Sequence, residues 1–216
     1  MNRIAKIYDI DEIGLYLTKQ SGNNTQDFQQ VVWTPELVEM LTREIKTTLP
    51  TDTDSIIAHR GTAPLWVMAS AIYAMYPYSN IFLPPVEGVQ LKIHNLSQGE
   101  WNPKAEATFD ITEKGDILYI DYRADDPNKP QLYGGGHHSY NPDLIPLIQA
   151  PVSGSNKHVC LSGNSSYNVT MSIATAYFSN CKSLSIKGKQ PNGVVDEGYI
   201  CCVTHSSDRK IGEITN

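Results

Sequence analysis

Short apolar runs alternate along the chain with longer segments whose apolar residues have helical spacing. In the first half this pattern predicts strands at 8–12, 14–18, 55–58, 80–83 and 89–94, with helices from Pro35 and over 64–73. A strand that continues through a helix into the next strand of the same sheet forms a parallel pair. The pattern therefore predicts a Rossmann-like α/β sheet.

The same order of elements recurs about one hundred residues later. Four segments carry the match, namely 8–12 with 109–113, 34–38 with 141–145, 55–61 with 157–163, and 89–94 with 200–205. Further strands are predicted at 117–121 and 183–186, and a helix over 167–177. We therefore predict a tandem duplication, with one α/β repeat over residues 1–103 and a second over residues 104–216. The two repeats would form a pseudo-symmetric dimer within one chain.

The charge balance bears on the class of ligand. The chain has 216 residues, of which 40% are hydrophobic and 19% charged, so it can build a sizeable core. Its 17 Lys and Arg residues against 23 Asp and Glu residues give a formal net charge of -6. This balance disfavours a basic groove for long duplex nucleic acid. A nucleotide ligand would have to be small and held by local groups.

Two further features predict where the protein works. No apolar run approaches the roughly 20 residues of a membrane helix, and acidic residues soon follow the N-terminal segment, where a signal peptide has its apolar core. We therefore expect a cytoplasmic protein with no membrane partner. The spacing of Cys160, Cys181, Cys201 and Cys202 matches no zinc or disulfide framework, which favours buried small hydrophobic residues.

Candidate chemistry lies in two glycine loops, because ligands of parallel α/β sheets collect beyond the carboxyl ends of the strands. The loop glycines let the backbone approach a ligand, and the amides of the following helix favour an anion such as phosphate. The alternative is that Thr62 and Ser165 are only helix N-caps and the glycines only turn formers. The candidate binding residues are His59, Gly61 and Thr62 in the first loop, and Ser162, Gly163, Asn164, Ser165 and Ser166 in the second.

Three other residues are candidates for catalysis. Arg60 adds a fixed positive charge to the first loop, and His94 and His205 each follow a late strand. A histidine at a strand end can act as a general acid or base or as a metal ligand, although either one alone is more often a structural residue. The chain contains no P-loop, no G-x-S-x-G elbow and no H-E-x-x-H motif.

The first repeat resembles a known family. The segment Ile56-Ile57-Ala58-His59-Arg60-Gly61-Thr62-Ala63-Pro64-Leu65-Trp66, continued through Tyr76, 80–83 and His94, is similar to the CRISPR-associated stand-alone ring nuclease of type III systems. Residues 109–121 and 142–213 look like a second, more diverged copy. The resemblance implies a CARF-like Rossmann fold that dimerises. It also implies binding of cyclic tetra-adenylate or a short adenylate-rich RNA, and manganese-dependent phosphodiester cleavage.

The chain departs from the family pattern at two places. Tyr76 or its neighbours stand where the family has a helix-end histidine, and segments 84–88 and 188–191 stand where it has an Asp-Pro-Arg turn. The resemblance therefore carries over only the glycine loops and the terminal histidines, and the identity of any metal ligand stays unknown.

Two hypotheses follow from the residues and the resemblance. In the first, the loops hold the phosphates of a cyclic oligoadenylate, Arg60 stabilises the phosphate charge, and His94 or His205 assists attack by a ribose 2'-hydroxyl. In the second, the protein is a non-catalytic sensor that sequesters the same messenger. A third reading, an exonuclease that trims RNA tails, is disfavoured by the acidic net charge. The sequence leaves open whether tandem units pair further into homo-oligomers.

Overall fold

The computed structural model describes residues 6–22, 31–51, 55–59, 61–76, 80–86, 89–94, 108–123, 152–163, 167–189 and 197–215. These residues form a mixed α/β structure with two sheets. The helices are α1 (Ile10–Gln20), α2 (Pro35–Thr48), α3 (Leu65–Met75) and α4 (Tyr167–Tyr177). The strands are β1 (Lys6–Asp9), β2 (Ser55–His59), β3 (Asn80–Val86), β4 (Val89–His94), β5 (Thr108–Lys114), β6 (Ile117–Arg123), β7 (His158–Gly163), β8 (Ser183–Lys189), β9 (Glu197–Thr204) and β10 (Ile214–Thr215).

The two sheets share a pattern of strand order and direction. The four-stranded sheet has the order β1-β2-β3-β4, in which the first three strands are parallel and β4 is antiparallel to β3. The six-stranded sheet has the order β10-β9-β8-β7-β6-β5. Within it, β6, β7 and β8 are parallel and β9 is antiparallel to β8, while β5 and β10 form antiparallel edges. The order and directions of β1 to β4 thus recur in β6 to β9.

The strands predicted at 8–12 and 14–18 are wrong, because most of these residues form helix α1. Asp9 caps the helix by accepting a hydrogen bond from the Glu12 amide at 3.1 Å, and acidic residues fill the first turn. Strand β2 lies between β1 and β3, and β7 lies between β6 and β8, so β1 corresponds to β6 and segment 8–12 does not correspond to edge strand β5.

The other predicted elements have different outcomes. The strands near 55–58, 80–83, 89–94, 109–113, 117–121, 157–161, 183–186 and 200–205 are confirmed, as are the helices at 64–73 and 167–177. Helix α2 begins as its sequence indicates, with Pro35 in the first turn and the Thr34 hydroxyl accepting from the Leu37 amide at 3.3 Å. The helix predicted from 142 lies outside the described residues.

Helix α3 follows a strand of the four-stranded sheet and packs against the six-stranded sheet. Nine of its eleven residues are buried, and it packs against α2 as well as against β8 and β9 of the six-stranded sheet. The buried Ser70 hydroxyl contacts the carbonyl oxygen of Cys202 in β9 at 2.7 Å. Helix α4 in turn packs against β4 of the four-stranded sheet. Each half therefore completes the core of the other, and the buried residues form one cluster.

A glycine in α1 provides a test of this packing. A methyl group at Gly14 would lie 2.7 Å from Cζ2 of the buried Trp33 ring, which is too close for two carbons. Alanine normally stabilises a helix by about 1 kcal/mol relative to glycine, but overpacking costs about 1–3 kcal/mol. We therefore expect Gly14→Ala to lower the free energy of unfolding, measured by urea denaturation with tryptophan fluorescence. Lys19→Ala on the exposed side of α1 is the control and should change it by less than about 0.5 kcal/mol. A Gly14→Ala protein as stable as the parent would contradict the packing.

Candidate functional site

A carboxylate and a histidine meet at the edge where β1 and β2 end. Asp9 and His59 are partners in the parallel ladder, and Asp9 Oδ2 lies 2.8 Å from His59 Nδ1. The neighbouring residues Tyr8 and Ala58 are buried, so the alternation of strand side chains places the pair on the opposite, outer face of the sheet. The His59 side chain is 47% exposed, and Nε2 has no hydrogen-bond partner among the described residues. One nitrogen of the ring is therefore held and the other is accessible.

A buried carboxylate supports the first glycine loop. Asp11 is only 6% exposed, and its Oδ2 accepts hydrogen bonds from the Thr62 amide at 2.6 Å and the Thr62 hydroxyl at 2.8 Å. Gly61 has a φ of 58°, and a Cβ there would clash with the Asp11 carboxylate. The other oxygen, Oδ1, is buried and unpaired among the described residues. The loop conformation thus depends on a residue from the first turn of α1.

The loop leads into helix α3. Pro64 is the N-cap residue and makes no side-chain capping bond, so the first backbone amides of α3 are not satisfied by a cap side chain. Thr62 is not an N-cap, because its hydroxyl binds Asp11 instead. Gly61 and Thr62 are both exposed beside this helix start. Arg60 lies outside the described residues.

The second glycine loop begins at a chain of hydroxyl groups. Tyr199 donates a hydrogen bond to Ser162 Oγ at 3.4 Å, and Ser162 donates to Asp121 Oδ1 at 3.2 Å. Gly163 lies against Tyr122, whose carbonyl would clash with any Cβ at this position. Residues Asn164, Ser165 and Ser166 lie outside the described residues.

The polar groups of the two edges occupy corresponding ladder positions. Asp9 is opposite His59 in β1 and β2, and Asp121 is opposite Ser162 in β6 and β7. His59 directly follows the wholly buried Ala58, just as Ser162 follows a wholly buried leucine. Sequence reasoning included His59 and Ser162 but missed both aspartates. The capping pattern of Asp9 with Glu12 three residues later is the signal that marks the first of them.

The two terminal histidines lie at strand ends on the opposite edge, since His94 is the last residue of β4 and His205 directly follows β9. Strands β4 and β9 run antiparallel to their neighbours, so they end where the parallel strands begin. His94 is the ladder partner of Ile81 near the start of β3, and the His205 amide donates to the Lys182 carbonyl directly before β8. A strand of five residues spans about 16 Å. The structure therefore does not bring His94 or His205 together with the glycine loops.

The pairing of the strands also places the two histidines at different ladder positions. Ile81 in β3 and Leu184 in β8 occupy corresponding positions. Ile81 pairs with the buried Ile56 of β2, and Leu184 pairs with the buried Val159 of β7. Ile81 is paired with His94, whereas Leu184 is paired with Val203. In this alignment of the two sheets, His94 and His205 therefore do not occupy the same ladder position. The described residues do not include the His94 side chain.

His205 makes interactions that stabilise the fold. Its Nε2 lies 2.6 Å from the Phe178 carbonyl oxygen, to which it donates, and Nδ1 is then free to accept from the Tyr73 hydroxyl at 3.4 Å. Burial raises the pKa of Tyr73, which keeps that hydroxyl protonated as a donor. Both ring nitrogens of His205 thus join α3 to the end of α4.

A serine, a histidine and an aspartate also meet beside the C-terminal segment. His158 Nδ1 lies 2.7 Å from Ser183 Oγ, and Nε2 lies 3.2 Å from Asp208 Oδ2. Ser183 is only 1% exposed, so a substrate cannot reach its hydroxyl. On the exposed side, a hydrogen bond from Lys182 lowers the pKa of Asp116, whose carboxylate also lies 3.5 Å from His158. Through the contact between His158 and Asp208, this cluster holds the C-terminal segment against the sheet, and it is not a hydrolase triad.

Manganese, which the family resemblance implies, does not fit the described part of the chain. No group of three or more histidine, cysteine, aspartate or glutamate side chains that could hold a metal ion occurs there. Asp9 is engaged by His59 and the Glu12 amide, and one Asp11 oxygen is engaged by Thr62. No step is therefore assigned to a metal.

Comparisons with protein-family models, curated proteins and solved structures find no match to this chain. None of the helices within the described ranges is long and apolar enough to cross a membrane.

Removing the support of the first loop should destabilise the protein. Asp11→Ala deletes two hydrogen bonds to Thr62 and should lower the free energy of unfolding by about 1–3 kcal/mol. The measurement is urea denaturation, with Glu12→Ala, an exposed neighbour in the same helical turn, as the control. Equal effects of the two substitutions would contradict the role of Asp11.

The cysteines should be unreactive in the folded protein. Burial raises the pKa of Cys160 and of Cys181 to about 12 and the pKa of Cys201 to about 11, and raises the pKa of Cys202 well above its usual value. At pH 8 a thiol with a pKa of about 11 is ionised to roughly one part in a thousand. We expect no rapid reaction of the native protein with a disulfide reagent at pH 8, and reaction of all four thiols in denaturing urea. Rapid labelling of any one thiol without urea would contradict its burial.

Proposed function

We propose that this protein is a tandem duplication of an α/β unit, with two CARF-like Rossmann repeats that pair within one chain. The matching order and directions of β1 to β4 and β6 to β9 support this proposal. So does the reciprocal packing of α3 against β8 and β9, and of α4 against β4. Such a chain corresponds to a homodimer whose two subunits have been fused.

We further propose that the chain is a CRISPR-associated ring nuclease that binds and cleaves cyclic oligoadenylate, with cyclic tetra-adenylate as the first candidate, in the cytoplasm. The observation that carries this proposal is the pair of polar strand ends at matching positions, Asp9 with His59 and Asp121 with Ser162. A ligand with repeated phosphates needs repeated sites. Each strand end leads into a glycine loop, where backbone amides can bind phosphate.

The net charge of -6 fits a small messenger better than a long nucleic acid. A short ligand gains affinity from a few local hydrogen bonds and does not need an extended basic surface. The exposed Gly61 and the start of α3, which has no side-chain cap, provide such donors. Because the terminal histidines lie at strand ends on the other edge, a phosphate held by the glycine loops is beyond their reach.

A second candidate function is a non-catalytic sensor that sequesters the same messenger. It is favoured by the structural role of His205, whose two ring nitrogens are engaged by Phe178 and Tyr73. If cleavage depended on His205, these contacts would have to break first.

Incubation of the purified protein with radiolabelled cyclic tetra-adenylate and cyclic hexa-adenylate, with manganese or with EDTA, tests the proposal. Linear products are expected from at least one ring, since a loop that aligns a 2'-hydroxyl with its leaving group supplies much of the rate. Tight binding without products would favour the sensor. Neither binding nor cleavage would overturn both functions.

The contribution of the second glycine loop to ligand binding can be tested separately. Ser162→Ala removes a hydroxyl from the second loop and should raise the dissociation constant for the ring by up to about tenfold. Ser155→Ala, at an exposed serine away from both loops, should leave the constant unchanged. An unchanged affinity of the Ser162 variant would place the ligand elsewhere.

A further inference from the structure

We propose that His59 is the general base of the ring cleavage and that Asp9 is its positioning residue. This inference rests on the proposed function and deepens it, because neither residue has a catalytic role in the sequence hypothesis. The pair is a cluster of titratable groups at the carboxyl end of a parallel sheet, beside a glycine loop.

The geometry of the pair determines which nitrogen can act. His59 Nδ1 donates to Asp9 Oδ2 at 2.8 Å, since an ionised carboxylate can only accept. In the neutral imidazole the proton is therefore on Nδ1, and Nε2 carries the lone pair that can accept a proton from a substrate. A carboxylate that fixes the tautomer of a histidine in this way is the arrangement used for general-base catalysis.

Asp9 is itself held in place. Its second oxygen accepts from the Glu12 amide at 3.1 Å as the N-cap of α1, and its backbone is paired with His59 in the sheet. One carboxylate thus caps a helix and orients the imidazole. The start of α1 also carries Asp11, whose contacts with Thr62 tie the glycine loop to the same helical turn. The base and the phosphate-binding loop are consequently parts of one rigid corner.

The proposed step balances without an oxidant or a metal. A ribose 2'-hydroxyl gives its proton to His59 Nε2 while its oxygen bonds to the adjacent phosphorus. The bond from phosphorus to the 5'-oxygen breaks, and that oxygen takes a proton from water. The products are a 2',3'-cyclic phosphate and a 5'-hydroxyl, and the hydroxide left from water recovers the proton from His59.

The second sheet lacks this base. At the ladder position of His59 it has Ser162, which donates to Asp121 and accepts from Tyr199. A serine hydroxyl hydrogen-bonded to a carboxylate can orient a ligand but does not accept a proton near neutral pH. On this proposal, the strand ends at Asp9 and His59 cleave the ligand, and the strand ends at Asp121 and Ser162 only bind it.

Two variants and a matched control test the inference. His59→Gln removes the base, and Asp9→Asn keeps a good N-cap for α1 but turns an amide donor toward the imidazole. Glu12→Gln removes one negative charge from the same helical turn without touching His59. For each protein the dissociation constant for cyclic tetra-adenylate and the single-turnover cleavage rate are measured. The tautomer of His59 is read from nitrogen-15 NMR of labelled histidine.

We expect His59→Gln to slow cleavage by about 100-fold or more, and Asp9→Asn by at least about tenfold, because it favours the wrong tautomer. Both should bind the ring within about threefold of the parent, and Glu12→Gln should do the same and cleave normally. The NMR signal of His59 should show a proton on Nδ1 in the parent and on Nε2 in Asp9→Asn, and slower cleavage at unchanged affinity is the result that a merely structural role of Asp9 would not produce.

The outcomes separate the two proposals. Cleavage by the parent that survives in both variants would overturn the dyad and leave the ring nuclease intact. Binding by the parent without cleavage would overturn the ring nuclease and, with it, the catalytic role of His59. A proton on Nε2 of His59 in the parent would overturn the dyad whatever the rates are.

Discussion

Burial of helix α3 is the constraint on which the rest of the structure depends. A helix that is apolar on nearly all sides cannot lie on a protein surface, so it requires a partner on every face. Here α2 provides one partner and strands β8 and β9 of the other sheet provide another. Each large apolar side chain that becomes fully buried contributes about 1.5–3 kcal/mol, and Trp66, Met68, Ile72 and Met75 are all buried in this way. Neither half can bury α3 alone.

The packing of α3 also fixes the turn that precedes it. Its N-terminus follows the turn at Gly61 and Thr62, and the Asp11 carboxylate ties that turn to the start of α1. Because β1 and β2 end at the same corner, Asp9 and His59 are brought together on the outer face of the sheet, away from the core. The polar pair stays accessible because the inner face alone is needed for packing. The core side chains and the exposed polar pair thus lie on opposite faces of the same two strands.

The sequence predicts best where a local signal and the apolar spacing agree. Thr34 and Pro35 mark the start of α2, and the apolar runs of β2 and β7 are confirmed. Segment 14–18 was compatible with a strand by its apolar residues, and only the capping pattern of Asp9 and Glu12 distinguishes it as a helix. The local sequence of a strand does not determine the edge of the sheet at which it ends, because that depends on whether the strand pairs parallel or antiparallel with its neighbours. For that reason His94 and His205 were expected beside the glycine loops.

A tandem chain can divide chemistry in a way that a homodimer cannot. In a homodimer every substitution enters both sites at once, so a change that favours binding over proton transfer affects both of them. In a duplicated chain the two strand ends evolve separately. On the proposed duplication, the second copy has a serine and a tyrosine joined through their hydroxyl groups where the first copy has a histidine joined to an aspartate. On the proposed ring-nuclease function, one phosphodiester has to be cut to open a ring, so a single base is enough. The strand ends at Asp121 and Ser162 would then serve binding alone.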